Sequence, residues 1–466
     1  MDYYRRENLC HDPIHGYIPF VSNHGLREGE TSERQLIDHP WLQRMRHIHQ
    51  LQTAWWVFPS AEHTRFQHVV GAMHLGSRLA RHLYPSLQNV DRTVPSPIYV
   101  EALLRLAGLL HDVGHGPFGH FFDAQFLRHY ELTHEVLGSL IIRDELGPLI
   151  RGIRRTPHGE LGPHETLDPE QVAWLIVRPR PGQDSERPLW LTHLRALLSG
   201  IYTIDNMDFV LRDAYMSGFS QRSFDLERLV HYSFFSERGL TIFDRGMEAL
   251  VRFMQVRADL FRSIYFHRTV RAIDLMLEDL FRESREFLFP GDPREHLDEY
   301  LHFTESSLLV DVGRWYRSSQ PRLRDLGQQW QRLLRRDVGW QMACQRTQII
   351  AERDAEQTSI FSDRTYVERR ISDLLPADLR SVPIRVDIAR HLHRPNTLGP
   401  ASGQNYLFDS GRERIRPLNA HELYERLPVA HRICRVYTLD GSAIPAIASA
   451  FEQLAGVQVE DDLTNM

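Results

Sequence analysis

Between Val100 and Leu110 the chain reads VEALLRLAGLL, and its apolar residues fall on nearly every face of a helix. A rod of that kind has to be buried all round, so the fold has to be built about it. It runs straight into His111-Asp112-Val113-Gly114-His115-Gly116-Pro117, which delivers imidazoles and a carboxylate to a glycine-broken helix end inside a core. A buried carboxylate is strongly unfavourable unless something neutralises it. A divalent cation would do so and would hold its ligands deprotonated. Neighbours on a regular helix point about 100° apart, but at a fraying terminus they can converge on one ion. Two adjacent ligands cannot complete a metal's coordination, so others are sought elsewhere. Upstream lies Glu62-His63-Thr64-Arg65-Phe66-Gln67-His68; downstream, Gly200 to Phe209 (GIYTIDNMDF) sets an acidic cluster at a helix start, where carboxylates suit the macrodipole. Two imidazoles and two carboxylates suit Mn, Fe, Mg, Ni or Zn. Thiolate cages are excluded, because Cys10, Cys344 and Cys434 show no paired spacing.

The rest of the 466 residues reads as mainly helical up to about residue 365. Helical spacing marks Trp41 to Gln52, Phe66 to Leu83, Phe118 to Tyr130, Glu135 to Glu145, Glu170 to Val177, Leu191 to Ser199, Met207 to Met216, Met247 to Phe281 and Leu323 to Arg353. Breaker residues make loops of Arg151 to Asp168 and Pro179 to Pro188, and strand patterns are almost absent before residue 365. Beyond about Tyr366, Pro383 to Ile388 and His431 to Leu439 alternate as strands, with helical candidates at Ala420 to Leu427 and Ser442 to Leu454. The expected architecture is therefore a mainly α core over residues 1–365 and a small C-terminal α/β module over 366–466.

Formal charge is 55 minus 61, or −6, which argues against whole-chain attraction to nucleic acid or an anionic membrane. All 55 basic residues are arginine, so a phosphate held by a cation here is held by Arg, His or a metal ion, and a P-loop is ruled out. The N-terminus is charged, and no stretch has the 18 or so apolar residues of a membrane span, so a cytoplasmic location is expected.

With these residues in view, the chain resembles the dNTP triphosphohydrolases of the HD superfamily. The likeness rests on five blocks in that family's order: His11-Asp12-Pro13-Ile14-His15-Gly16, Asp38 to Gln50, Val57 to His68, His111 to Asp123, and Asp205 to Gly218, together spanning roughly residues 9–275. It implies an HD-type helical core, with His68, His111, Asp112 and Asp205 as metal ligands. His115, His120, Asp123 and His134 match the family's catalytic surroundings, where His120 or His115 would protonate a leaving alkoxide and the others orient the imidazoles. Arg65, Arg257 and Tyr265 match nucleotide-facing positions, Gln50 and Asp213 sugar-side or supporting ones, and Asn206 stands beside the metal aspartate where lysine is common. Phe209 replaces a usual tyrosine, and Gln52 a usual glycine. Asp38, Gln43 and Arg46 match residues that read an activating nucleotide, with Arg245 and Arg268 as its phosphate partners.

The resulting expectation is a metal-dependent hydrolase that cleaves a dNTP to deoxynucleoside and inorganic triphosphate. GTP, dGTP or a second dNTP would be its activator, and it would assemble as a homo-oligomer (dimer, tetramer or hexamer). Two alternatives stay open: a phosphomono- or phosphodiesterase acting on other nucleotides or single-stranded nucleic acid, suggested by Asn206 and Phe209, and a nucleotide-sensing module without catalysis.

Overall fold

The computed structural model describes residues 2–178, 187–221, 223–350, 359–392 and 405–455. The chain forms two compact units: Met1–Leu260, Ser284–Val312 and Asn396–Glu425 make the first, and Phe261–Glu283, Gly313–Pro395 and Arg426–Met466 the second.

At the centre of the first unit is the helix Pro97–Leu110, buried from Tyr99 onward as its sequence requires. Ser96 starts it by accepting from the Tyr99 amide, and Pro97 follows in the first turn, where a missing N–H is harmless. Its two charged residues are fully buried and each is paired. Glu101 accepts from Ser77 Oγ at 2.6 Å and Thr156 Oγ1 at 3.0 Å and bonds His158 Nδ1 at 2.6 Å. Arg105 forks onto Glu33 at 2.5 and 2.8 Å. The helix packs along Arg65–Val90, and two glycines let the backbones meet. A Cβ on Gly76 would come within 2.5 Å of the Leu104 carbonyl oxygen, and one on Gly108 within 2.6 Å of that of Ala72.

Helices His134–Asp144, Pro169–Ile176, Ile204–Met216 and Met247–Leu260 lie close to their expected positions. Several expectations need correction. The stretch from Trp41 to Gln52 is α-helical only within Pro40–Gln43, continues as one 3-10 turn over Arg44–His47, and is not helical beyond. The cause is tertiary: Arg44 is buried and donates to the carbonyls of Val113, His115, Tyr300, Leu301 and Phe303, tying the glycine-rich loop after the central helix to residues 300–303. Gln52 has φ +53°, in the left-handed region that favours glycine. Secondly, strands do occur before residue 365. Glu7–Asp12 pairs with Gly16–Val21, and Ser233–Ser236 pairs with Gly239–Phe243, which in turn takes Tyr406–Asp409 as a parallel neighbour. Thirdly, the long helix expected to continue to Arg353 is Pro321–Leu334, and Gln341–Ile350 is a strand.

That strand belongs to the second unit, whose antiparallel sheet has Ala430–Thr438 in the middle, flanked by Gln341–Ile350 and Ile384–Leu392. Helices Arg364–Leu374 and Ile444–Ala455 close its core, with Val367, Ile371, Val386, Cys434, Val436, Ile447 and Phe451 packed together. The segment expected as one helix from Met247 to Phe281 is broken here too, by a π turn over Phe261–Tyr265 before the helix Arg268–Leu288. Most of the breaker-rich stretch at Pro179 to Pro188 lies outside the described residues. Among those described, no helix is long and apolar enough to cross a membrane.

Candidate metal centre

Three helix ends bring the central residues together in the first unit. His68 closes the first turn of Arg65–Val90, which starts in a Thr64–Gln67 capping box. His111 follows the last residue of Pro97–Leu110, with Asp112 next. Asp205 lies in the first turn of Ile204–Met216, opened by a second capping box between Thr203 and Asn206. His68 Nε2 is 3.2 Å from His111 Nε2 and 3.2 Å from Asp205 Oδ1. His111 Nε2 is 3.6 Å from Asp205 Oδ1 and 3.4 Å from Asp112 Oδ1. His68 is fully buried, whereas the Asp205 side chain is 40% exposed, so the cluster opens to solvent on one side only.

The tautomers decide what this cluster holds. His111 Nδ1 faces the Gly108 carbonyl at 2.8 Å, and a carbonyl only accepts, so the proton is on Nδ1 and Nε2 carries the lone pair. His68 Nδ1 likewise donates to the Asp208 carboxylate at 2.7 Å. Two imidazole lone pairs and two carboxylates thus converge on one small volume, an arrangement that repels itself unless a proton or a cation lies inside. Burial disfavours a charged imidazole at His68, but its hydrogen bonds to the carboxylates of Asp205 and Asp208 overcome it and hold its pKa up at about 10. Asp112 is held well below the carboxylate range against its burial, by His111 and Arg65. A mixed set of two nitrogens and two oxygens fits a divalent ion, and His68, His111 and Asp112 meet the spacing for one.

Beside it sits a second cluster. Asp123 Oδ2 accepts from His134 Nδ1 at 2.6 Å and from His120 Nδ1 at 3.2 Å. His115 is buried between the clusters, with Nε2 3.4 Å from Asp112 Oδ1, Nδ1 3.7 Å from Asp123 Oδ1, and its ring stacked on His134 at 3.7 Å. His120 is different in kind, because its side chain is 65% exposed while its Nδ1 is anchored. All four residues expected around the metal centre are therefore in one place.

Other expected residues divide. Arg65 is buried and donates to Asp112 Oδ2 at 2.6 Å, with Gly119, at φ +54°, leaving room for its guanidinium. Asn206 is buried in its capping box and also donates to the Ile201 carbonyl at 3.1 Å. Arg257 donates to that same carbonyl, and burial pulls its pKa down to about 10 although Tyr424 and Asp205 oppose the shift. Asp213 bonds His63 at 2.7 Å, and Gln50 Oε1 is buried without a hydrogen-bond partner. Tyr265 lies in the π turn of the second unit, against Phe261. Among the residues matched to an activator site, Gln43 bonds the Ile37 carbonyl and accepts from Arg46, which covers the Phe66 ring at 3.6 Å; Asp38 is exposed at the end of Glu33–Ile37. Arg245 sits in the turn Asp244–Gly246, and Arg268 begins a helix of the second unit.

Sequence reasoning missed Asp208, Arg212 and the orientation of His15. Asp208 bonds both His68 and His15, and Arg212 binds Asp208 and Asp12. The available signal was the i, i+4 pairing of Asp208 with Arg212 on a helix already singled out for Asp205.

Comparison with known proteins agrees with this geometry: the HD domain family matches residues 65–181. The chain carries an HD domain. Across 304 residues it is 29% identical to the deoxynucleoside triphosphate triphosphohydrolase SAMHD1 of Bos taurus, covering 60% of this chain and 48% of that protein. The human protein of the same name is 30% identical, covering 60% and 45%. YwfO of Bacillus subtilis is 26% identical over 69% of each chain. The resemblance of this HD-domain chain to dNTP triphosphohydrolases thus holds, and the match spans about half the length of the cattle and human relatives. Its fold is shared with a crystal structure of a hypothetical protein from Aquifex aeolicus, at a TM-score of 0.68 and 22% identity over 95% of this chain and 99% of that one.

Proposed function

We propose that this HD-domain chain is a metal-dependent phosphohydrolase that converts a dNTP and water into a deoxynucleoside and inorganic triphosphate. The observation that carries the reading is the pair of adjoining clusters: four ligand side chains around one volume, and beside them an exposed imidazole anchored on a carboxylate. His68, His111, Asp112 and Asp205 would hold the ion. What such an ion supplies when bound is Lewis-acid polarisation of a phosphoryl group.

The remaining roles belong to the chain itself. Attack of water on the α-phosphorus breaks the bond to the 5′ oxygen, which leaves as an alkoxide and needs a proton. His120 would give it; what supports the role is that Asp123 fixes Nδ1 and leaves Nε2 for the substrate. His115 lies between Asp112 and Asp123 without a hydrogen bond to either, where a charge on its ring would act on both carboxylates, and His134 orients Asp123. Arg65 and Arg257 supply positive charge close to Asp112 and Asp205. Asp38, Gln43 and Arg46 form the proposed activator site, and assembly into oligomers belongs to the same proposal.

The test is chromatography of products from each dNTP with Mn²⁺ or Mg²⁺, with and without GTP or a second dNTP. Deoxynucleoside plus triphosphate, lost in Asp205→Ala, supports the reading. Orthophosphate or a mononucleotide would move it to a phosphomono- or phosphodiesterase, and intact dNTP in every mixture would leave a binding module.

A further inference from the structure

We propose that Asp208 is a positioning residue for the metal centre, and that through it the N-terminal turn Asp12 to His15 sets how tightly the ion is held; this rests on reading His68, His111, Asp112 and Asp205 as ligands. Asp208 is fully buried and its two oxygens receive four donors. Oδ2 accepts from His68 Nδ1 at 2.7 Å and Arg212 Nε at 2.9 Å. Oδ1 accepts from His15 Nε2 at 2.7 Å and an Arg212 terminal nitrogen at 2.9 Å. A carboxylate offers about four acceptor directions, so all are used and none is left for the ion. Asp208 acts instead on the far nitrogen of a ligand: it keeps the proton on His68 Nδ1, aims Nε2 at His111 and Asp205, and makes that imidazole a better donor.

The other side of the same carboxylate reaches the N-terminal hairpin. Arg212 extends its remaining nitrogen to Asp12 Oδ2 at 2.7 Å. Asp12 Oδ1 in turn accepts from the amides of Ile14 and His15, both at 2.9 Å, folding the turn that presents the His15 ring to Asp208. The helix that carries His68 is shaped for this contact. Gly71 is three residues further along and on the same face, and a Cβ there would lie 2.1 Å from Asp208 Oδ1 and 2.3 Å from the Arg212 guanidinium. The hairpin is therefore wired to the metal ligand by one shared carboxylate, with an arginine balancing its charge. The His-Asp-Pro-Ile-His-Gly segment, for which the reaction itself has no use, acquires a role: His15 is the second clamp on Asp208.

The experiment is equilibrium dialysis of the full chain against Mn²⁺ and against Zn²⁺, for the wild type, Asp208→Asn, His15→Ala and His15→Gln, with thermal unfolding of each metal-free protein as the folding control. Asp208→Asn is expected to weaken ion binding by about 10- to 100-fold. His15→Ala leaves the Asp208–Arg212 pair in place and is expected to weaken it in the same direction, while His15→Gln, whose amide N–H can donate to Oδ1, recovers most of the loss. Such rescue is not expected of a residue that only fills space. Wild-type affinity in a folded Asp208→Asn, or in His15→Ala, overturns the coupling and leaves the ligand set standing. A wild-type chain that takes up neither ion overturns the ligand set, and the coupling with it.

Discussion

His120 does its proposed work with one nitrogen fixed and the other free, and that division makes it separable from its neighbours. Replacing it with alanine leaves the ligand cluster untouched, so kcat is expected to fall by about 10²- to 10⁴-fold while ion binding stays at the wild-type level; steady-state kinetics beside metal dialysis checks both halves. His49 is a second imidazole whose charge matters. Burial opposes its protonation, but its hydrogen bonds to Glu305 at 2.7 Å and Glu62 at 3.2 Å win, and its pKa is raised above 6.5. A raised histidine contributes stability that is complete below the unfolded value near 6.5 and is lost as pH climbs through the folded one. The difference in melting temperature between wild type and His49→Gln is thus expected to shrink steadily as pH rises above about 6.5, and a difference independent of pH would contradict a charged His49. What could be read of these residues in the sequence follows distance along the chain. His111 and Asp112 announce themselves because an apolar run ends on them. The bond from Asp208 to His15 joins positions 193 apart and that to His68 positions 140 apart, and no local pattern encodes either.

At the scale of elements, the centre depends on how closely two helices approach. Arg65–Val90 carries His68 and Pro97–Leu110 delivers His111, and Gly76 and Gly108 set their separation from opposite sides. The atoms that an added Cβ would strike are backbone carbonyl oxygens, which cannot rotate away as a side chain would. Gly108→Ala and Gly76→Ala are each expected to destabilise the protein by about 1–3 kcal/mol in urea unfolding, with a weaker hold on the ion in whatever fraction stays folded. Helix positions such as Ile204–Met216 were legible because an apolar stripe of the right period coincides with a cap. Gln341–Ile350 was not. Its Gln, Met and Ala residues favour a helix locally, and what makes it a strand is pairing along Ala430–Thr438, whose other edge is taken by Ile384–Leu392. The tight turn after Gln43 has a similar origin, since the five carbonyls that hold Arg44 come from segments far away in the sequence.

For the molecule as a whole, an ion that binds only the folded chain must stabilise it. At a free concentration about 1,000 times its dissociation constant, Mn²⁺ or Zn²⁺ is expected to add about 4 kcal/mol, and a chelator to remove it, visible as a melting temperature that follows metal concentration in the wild type and not in Asp205→Ala. The sequence pointed to a helical core with an α/β addition, but its division at residue 365 could not foresee that the two compact units draw on alternating stretches of chain. Interleaving is a property of contacts, and composition changes too gradually to mark it. The ligand positions carry one more consequence. His68 and Asp205 stand 137 positions apart, with His111 and Asp112 between them. An ion joining them would close loops as a cross-link does, and it could leave only when those loops loosen together. Its residence time would then be a clock: the rate at which a bound isotope exchanges with ions in solution would report how often the first unit breathes open.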